Sequence, residues 1–257
     1  MEQTLLIAGL ACRLGGMATP FHTLVARRLA PFLTGSASPD FSLELTLSGQ
    51  RLNGGDAGRL TFREETLTLE GSVFEGRYDR RRGSGWLRQP PSLRILHRFV
   101  SAVYAVELPS RGGLLVHSAG VARNGAAYCF FGPSGSGKTT LARRHRRGVL
   151  SDEVVAIRLE ESGPVAYGTP WRGRNLSARL RGLFRLSRQG TLSLRPLSPA
   201  AATRELLNNL FLPMPDRQLT ETVLEAIDRL VGAVPVFELS VLRGRPFWPL
   251  IDDALSH

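Results

Sequence analysis

The sequence predicts a mixed α/β protein in two parts: a smaller α+β domain over residues 1–109 and a larger α/β domain over 110–257. Three observations predict it. Apolar residues alternate with period two in several short stretches, as half-buried strands require. Other stretches carry apolar residues at helical spacing behind capping residues. A glycine-rich octapeptide, Gly132-Pro-Ser-Gly-Ser-Gly-Lys-Thr139, stands between an apolar strand pattern and a helix pattern. With 42% hydrophobic and 21% charged residues, the chain is neither disordered nor fibrous. No run approaches the roughly 18 apolar residues of a membrane-spanning helix.

Residues 5–12 (LLIAGLAC) read as a first strand. A lipoprotein signal would need a basic start where Glu2 stands and leucine where Gly9 stands, so export is not expected. A Gly15-Gly16 turn and an amphipathic segment over 21–32 come next, then a turn-rich break at 36–40. Alternation predicts strands over 41–47 and 67–70. Residues 80–91 read as a basic, Gly- and Pro-bearing loop containing Trp86, and 92–108 as a helix capped by Ser92. Residues 114–121 read as one strand and 126–131 as its hairpin partner across Asn124-Gly125. Beyond the octapeptide, helices are predicted over 199–212, behind Ser198 and with Pro199 in first place, and over 218–231. A strand over 236–242 and an apolar closing segment over 247–251 complete the chain.

Lys and Arg total 33 against 22 Asp and Glu, a net charge of +11. Such an excess raises nucleic acid, anionic membranes and acidic substrates as partners. The arginines are dispersed, however, and the densest groups, Arg80-Arg81-Arg82 and the 143–147 stretch, match no nucleic-acid motif. A solvated basic surface is the expectation; neither nucleic acid nor membrane is expected as a partner. Cys12 and Cys129 lie far apart without metal spacing, Cys129 in an apolar run, and predict reduced thiols in a cytoplasmic protein.

Only one of the 33 basic residues is lysine, Lys138, leaving 33 − 1 = 32 arginines. It falls inside the octapeptide, which fits GxxxxGK[ST] throughout. Gly132, Gly135 and Gly137 let backbone N–H groups converge on phosphate oxygens, with Pro133, Ser134, Ser136 and Thr140 completing the cradle. Lys138 is placed to reach β- and γ-phosphates, and Thr139 to offer its hydroxyl to Mg²⁺. A compact ammonium suits the crowded mouth of such a loop better than a planar guanidinium. No NKxD sequence appears, which argues against an ordinary GTPase.

The spacing narrows the class further. Asp152 lies 152 − 138 = 14 residues after Lys138, so Asp152 and Glu153 come off the strand directly following the loop's helix. That placement lets the pair face the γ-phosphate, with Asp152 and Thr139 as candidate metal ligands.

His117, the hairpin, GPSGSGKTTLA over 132–142, LSDE over 150–153 and Gly168-Thr-Pro-Trp171 together resemble the HPr kinase family and its HprK-related serine kinases. The resemblance covers about residues 110–250. It implies a P-loop kinase core of the HPr kinase/phosphoenolpyruvate carboxykinase type, a mixed sheet flanked by helices. It also implies ATP and Mg²⁺ as cofactors and a Ser/Thr hydroxyl of a protein or precursor peptide as acceptor. One carboxylate of Asp152 and Glu153 would take the hydroxyl proton, Lys138 would act on the phosphates and His117 would lie beside them. Residues 168–171 with Arg172 would form a loop over the site; core packing is the alternative for Trp171, as a structural role is for His117. Two departures are plain: HPr kinases carry paired aspartates where this chain has Asp-Glu, and residues 1–109 do not match their N-terminal domain. That domain is expected to help choose the substrate, and basic loops to attract an acidic one. A homo-oligomer is permitted. A small-molecule phosphotransferase or carboxykinase-like enzyme on the same core, and a nucleotide sensor without turnover, are the competing readings.

Overall fold

The computed structural model describes residues 2–51, 55–145, 148–187, 190–242 and 244–256, excepting the side chains of 143 and 144. The protein is a mixed α/β chain with two mixed sheets, in two compact units. One comprises 1–109 with 211–221, the other 110–210 with 222–257. The sequence predicts a single cut at 109/110; the chain also returns to the first unit over Phe211–Glu221.

The first unit holds β1 (Gln3–Ile7), β2 (Leu10–Gly15), α1 (Thr19–Leu29), β3 (Leu33–Thr34), β4 (Phe41–Leu47), β5 (Arg59–Arg63), β6 (Thr66–Glu70), β7 (Glu75–Asp79), β8 (Ser84–Gln89) and α2 (Leu93–Glu107). The strands run in the order β3-β1-β2-β4-β8-β7-β6-β5. Within it β2, β4 and β8 are mutually parallel neighbours, and the other pairs are antiparallel. The single strand predicted over 5–12 is instead the β1–β2 hairpin. Ala8 (φ 49°) and Gly9 (φ 74°) supply the two left-handed residues of a tight turn, without the Asn-Gly signal that usually announces one.

Half of the basic loop predicted over 80–91 is strand, as β8 takes 84–89. Ser84, Trp86 and Arg88 face outward while Leu87 and Gln89 are buried. Nor is Arg80 solvated: its guanidinium pairs with Glu65 at 3.0 Å, both side chains largely buried. Helix α2 is capped as predicted, the Ser92 hydroxyl accepting from the Ile95 N–H. Its Phe99 ring packs over Gly76, where an added Cβ would come within 3.0 Å of the ring. The Tyr104 hydroxyl donates towards the carbonyls of Leu5 and Leu10 on either side of the first hairpin.

The second unit holds β9 (Gly113–Val116), β10 (Ser118–Arg123), β11 (Ala126–Phe131), α3 (Lys138–Arg144), β12 (Val149–Ser151), β13 (Val155–Glu160), β14 (Gly163–Tyr167), β15 (Ser177–Ser187), β16 (Ser193–Pro196), α4 (Pro199–Leu207), β17 (Val236–Ser240) and α6 (Trp248–Ala254). Helix α5 (Arg217–Ala233) begins in the returning segment and continues into this unit. The sheet order is β12-β10-β11-β15-β14-β13-β9, with β17 parallel beside β15 and β16 antiparallel beside β17. Two expectations need correction. The strand predicted over 114–121 breaks at His117 into β9 and β10, which pair with different neighbours. The helix from Pro199 stops at Leu207. The apolar closing segment enters α6, with Phe247 and Ile251 buried.

Phe130, Phe184 and Phe237 stand in register on the parallel strands β11, β15 and β17. Their rings stack at 5.3 and 5.7 Å between centroids, and Phe247 and Ile251 join the same cluster. Both cysteines are buried and free, and burial pushes the Cys129 thiol up to about 12, so neither is a reactive thiolate. No helix among the described residues is long and apolar enough to cross a membrane. In the arginine-rich 143–147 stretch helix α3 ends at Arg144, while residues 146 and 147 and the side chains of 143 and 144 lie outside those described.

Candidate functional site

Three connections of the second sheet open at one end. Strands β11 and β12 both run antiparallel to β10, so the start of β10 lies beside the ends of the other two. His117 precedes β10, the glycine loop comes after β11, and Asp152-Glu153 come after β12. Neighbouring strands change from antiparallel to parallel beyond β11, a place where α/β sheets open crevices at their strand ends.

Backbone conformation makes the loop a cradle. Gly132, Gly135 and Gly137 have φ of 133°, 76° and 105°, which side chains of L residues rarely adopt. An added Cβ at Gly135 or Gly137 would meet nothing within 4 Å, so these two are glycine for their turn and leave open space beside it. The Lys138 ammonium bends back across the loop to the carbonyls of Gly132 (2.6 Å) and Pro133 (3.0 Å). Partial burial pulls its pKa below the ordinary lysine value.

The opposite wall is shaped by Ser151, which is fully buried. Its hydroxyl accepts from the N–H groups of Glu153 and Val154, folding the chain into a serine turn that projects Asp152 and Glu153. It also donates to the Trp171 carbonyl, fastening the 168–174 loop behind the pair. Thr169 donates to the Val154 carbonyl, and the Arg174 N–H to Leu150. Trp171 is buried against this seam, as the packing alternative predicts. Arg172 emerges from it: its Nε lies 3.2 Å from Asp152 Oδ1 and 3.8 Å from Glu153 Oε2.

A cavity of about 630 Å³ gathers His117, Gly132, Pro133, Ser134, Gly135, Gly137, Lys138, Thr139, Thr140, Asp152 and Glu153. Of the predicted site residues only Ser136 is missing from it. That side chain is buried, its Oγ makes no hydrogen bond among the described residues, and it lines a second cavity of about 350 Å³ on the other flank of the loop. Leu141, Leu186, Val241, Leu242 and Phe247 make that second cavity apolar.

Two lining residues, Asn208 and Asn209, escape sequence reasoning. Asn209 joins separate parts of the site. Its side-chain oxygen accepts from the Gly132 N–H at 3.1 Å and its amide donates to the Glu205 carbonyl. Its own carbonyl accepts from the His117 N–H at 2.7 Å. Two asparagines at a helix end read in sequence as an ordinary C-cap, so nothing local announces the role.

The donor set bears on a metal. Asp152 Oδ1 is buried and makes no hydrogen bond among the described residues, having only the oblique ion pair with Arg172. With the Thr139 hydroxyl it offers hard oxygen ligands suited to Mg²⁺. Among the described residues no group of three or more His, Cys, Asp or Glu could form a cage. Comparison with protein-family models and with curated protein sequences finds no match for the chain.

Proposed function

We propose that the chain is an ATP- and Mg²⁺-dependent kinase that transfers the γ-phosphoryl group to a Ser/Thr hydroxyl of a protein or precursor peptide, on a core of the HPr kinase/phosphoenolpyruvate carboxykinase type. One observation carries this reading: the acidic pair shares a single cavity with Lys138 and Thr139 although it comes from a different strand. A loop that only held nucleotide would not need two carboxylates there.

Each group has a distinct task. Backbone N–H groups of 132–139 hold the phosphates, and Lys138 leaves the loop carbonyls for the β- and γ-phosphate oxygens. The apolar cavity beside Leu141 and Phe247 has the character of a base site, excluding water from one end of the nucleotide. Thr139 and Asp152 would hold Mg²⁺, which when bound neutralises charge on the phosphates. The Asp152-Glu153 pair accepts the proton of the incoming hydroxyl. His117, fixed by Asn209 through its backbone, borders the phosphate end of the cavity. The first unit takes the role of choosing the acceptor.

The test is incubation of the full-length protein with γ-labelled ATP, Mg²⁺ and acidic serine-bearing peptides. Label should reach serine, and Asp152→Asn should lower transfer by about 10²–10⁴-fold, the usual worth of a positioned proton acceptor. Tight nucleotide binding with no transfer to any acceptor would overturn the reading in favour of a sensor.

A further inference from the structure

Arg172 is conspicuous both for its backbone conformation and for where that conformation puts its side chain. It is a non-glycine residue at φ 62°, a conformation that costs a side-chain-bearing residue energy and persists only where its surroundings enforce it. Those surroundings are on view: the Arg172 N–H donates to Pro170, its carbonyl accepts from the Asp152 N–H, and Ser151 bridges to Gly173. The enforced conformation delivers the guanidinium to both carboxylates of the acidic pair, inside the cavity that holds Lys138.

The contact is built to be given up. Its Nε approaches Asp152 Oδ1 at 3.2 Å without the alignment of a hydrogen bond, and Glu153 Oε2 at 3.8 Å. The arginine side chain is 54% exposed, whereas Asp152 is only 15% exposed. A well-buried carboxylate is thus neutralised by a half-solvated, loosely docked cation.

We propose that Arg172 is a resident counter-ion that competes with the divalent cation for Asp152 and Glu153. With the cavity empty, the pair presents a net charge of −1 rather than −2, too little to hold a free metal ion well. Phosphate oxygens offer the guanidinium the two-point hydrogen bonding that its oblique contact with Asp152 lacks, so a metal–nucleotide complex displaces it where free metal does not. The site therefore selects metal already bound to nucleotide. This deepens the kinase reading and rests on it for the nucleotide, but not for the competition between cations.

The experiment measures Mn²⁺ binding to the nucleotide-free, full-length protein by electron paramagnetic resonance. Arg172→Gly is the informative variant, because glycine accepts the φ of 62° and removes only the side chain. It should bind Mn²⁺ about tenfold more tightly than the parent, from the loss of one nearby positive charge. Arg172→Lys, which retains the charge, should stay near the parent, and adding Asp152→Asn to Arg172→Gly should abolish the gain. Equal Mn²⁺ affinity in Arg172→Gly and the parent, or a gain that survives Asp152→Asn, would overturn the proposal. A separate ATP–Mg²⁺ titration of the parent tests the kinase reading: absence of nucleotide binding defeats that reading while the Mn²⁺ comparison still decides the role of Arg172.

Discussion

Each of the two sheets contains three adjacent parallel strands, yet the segments into which those strands run are entirely different. In the first, β2, β4 and β8 run out into Gly16, Ser48 and Pro90, and the Ser48 N–H simply bonds to the Gln89 carbonyl. In the second, β11 of the parallel group β11, β15 and β17 runs into three left-handed glycines and a lysine. Parallel strand ends provide a place for chemistry, but the loop residues decide whether there is any. The contrast teaches a division of labour that substitutions should separate.

Among substitutions that set the loop apart from its scaffold, the largest effect should come from Lys138→Arg. The planar guanidinium does not replace the ammonium at the loop mouth, and phosphoryl transfer should fall about 10²–10³-fold, the cost of losing one charge-stabilising donor. Thermal unfolding should be nearly unchanged, since among the described residues the Lys138 ammonium bonds only to carbonyls of its own loop. A large loss of stability would mean the second sheet depends on its loop, and the division would fail.

Asn209→Ala comes next. It removes the acceptor for the Gly132 N–H, a bond worth about 1 kcal/mol, and should weaken nucleotide binding roughly fivefold. Isothermal titration with ADP reads it, and unchanged affinity would show that the loop keeps its shape unaided.

The smallest effect on the site, and a distinct one on the first unit, concerns His97 in α2. Burial, reinforced by the charge of Arg28, lowers its pKa from 6.5 to about 4. The unfolded chain therefore takes up this proton before the folded one does. The stability contributed is fully present above pH 6.5 and is lost as the pH falls towards 4, by roughly 2 kcal/mol once partial exposure is allowed for. Melts at pH 7 and 4.5 should differ less in His97→Gln than in the parent, with ADP affinity at pH 7 unaltered. An identical pH response in both would remove His97 as the cause.

The phosphate loop is legible in the sequence because its chemistry is local: eight consecutive residues specify both conformation and ligand. The acidic pair is legible because it lies on the next strand, and Ser151 fixes its turn from within the same short stretch. Arg172 is placed near the site only by resemblance, and its ion pair depends on a seam of hydrogen bonds between distant segments. Asn209 is invisible, since its partners Gly132 and His117 lie far away in sequence. Strand β15, the longest among the described residues, escapes detection for another reason. Arg179 and Arg181 stand outward beside buried Leu180 and Leu183, but in so arginine-rich a chain their alternation looks like background. The same background disguises β8, where outward Trp86 and Arg88 flank buried Leu87.

The returning segment bears on how the protein is made. Strand β5 ends the first sheet, and its exposed edge is covered only when the Phe62 N–H bonds to the Met214 carbonyl and the Met214 N–H to Leu60. Asp216 adds a bond to the Glu64 N–H. A nascent chain leaving the ribosome carries that edge open, as a template for unwanted pairing, until most of the second unit has been synthesised. The unit whose synthesis starts earlier is thus among the last to be closed.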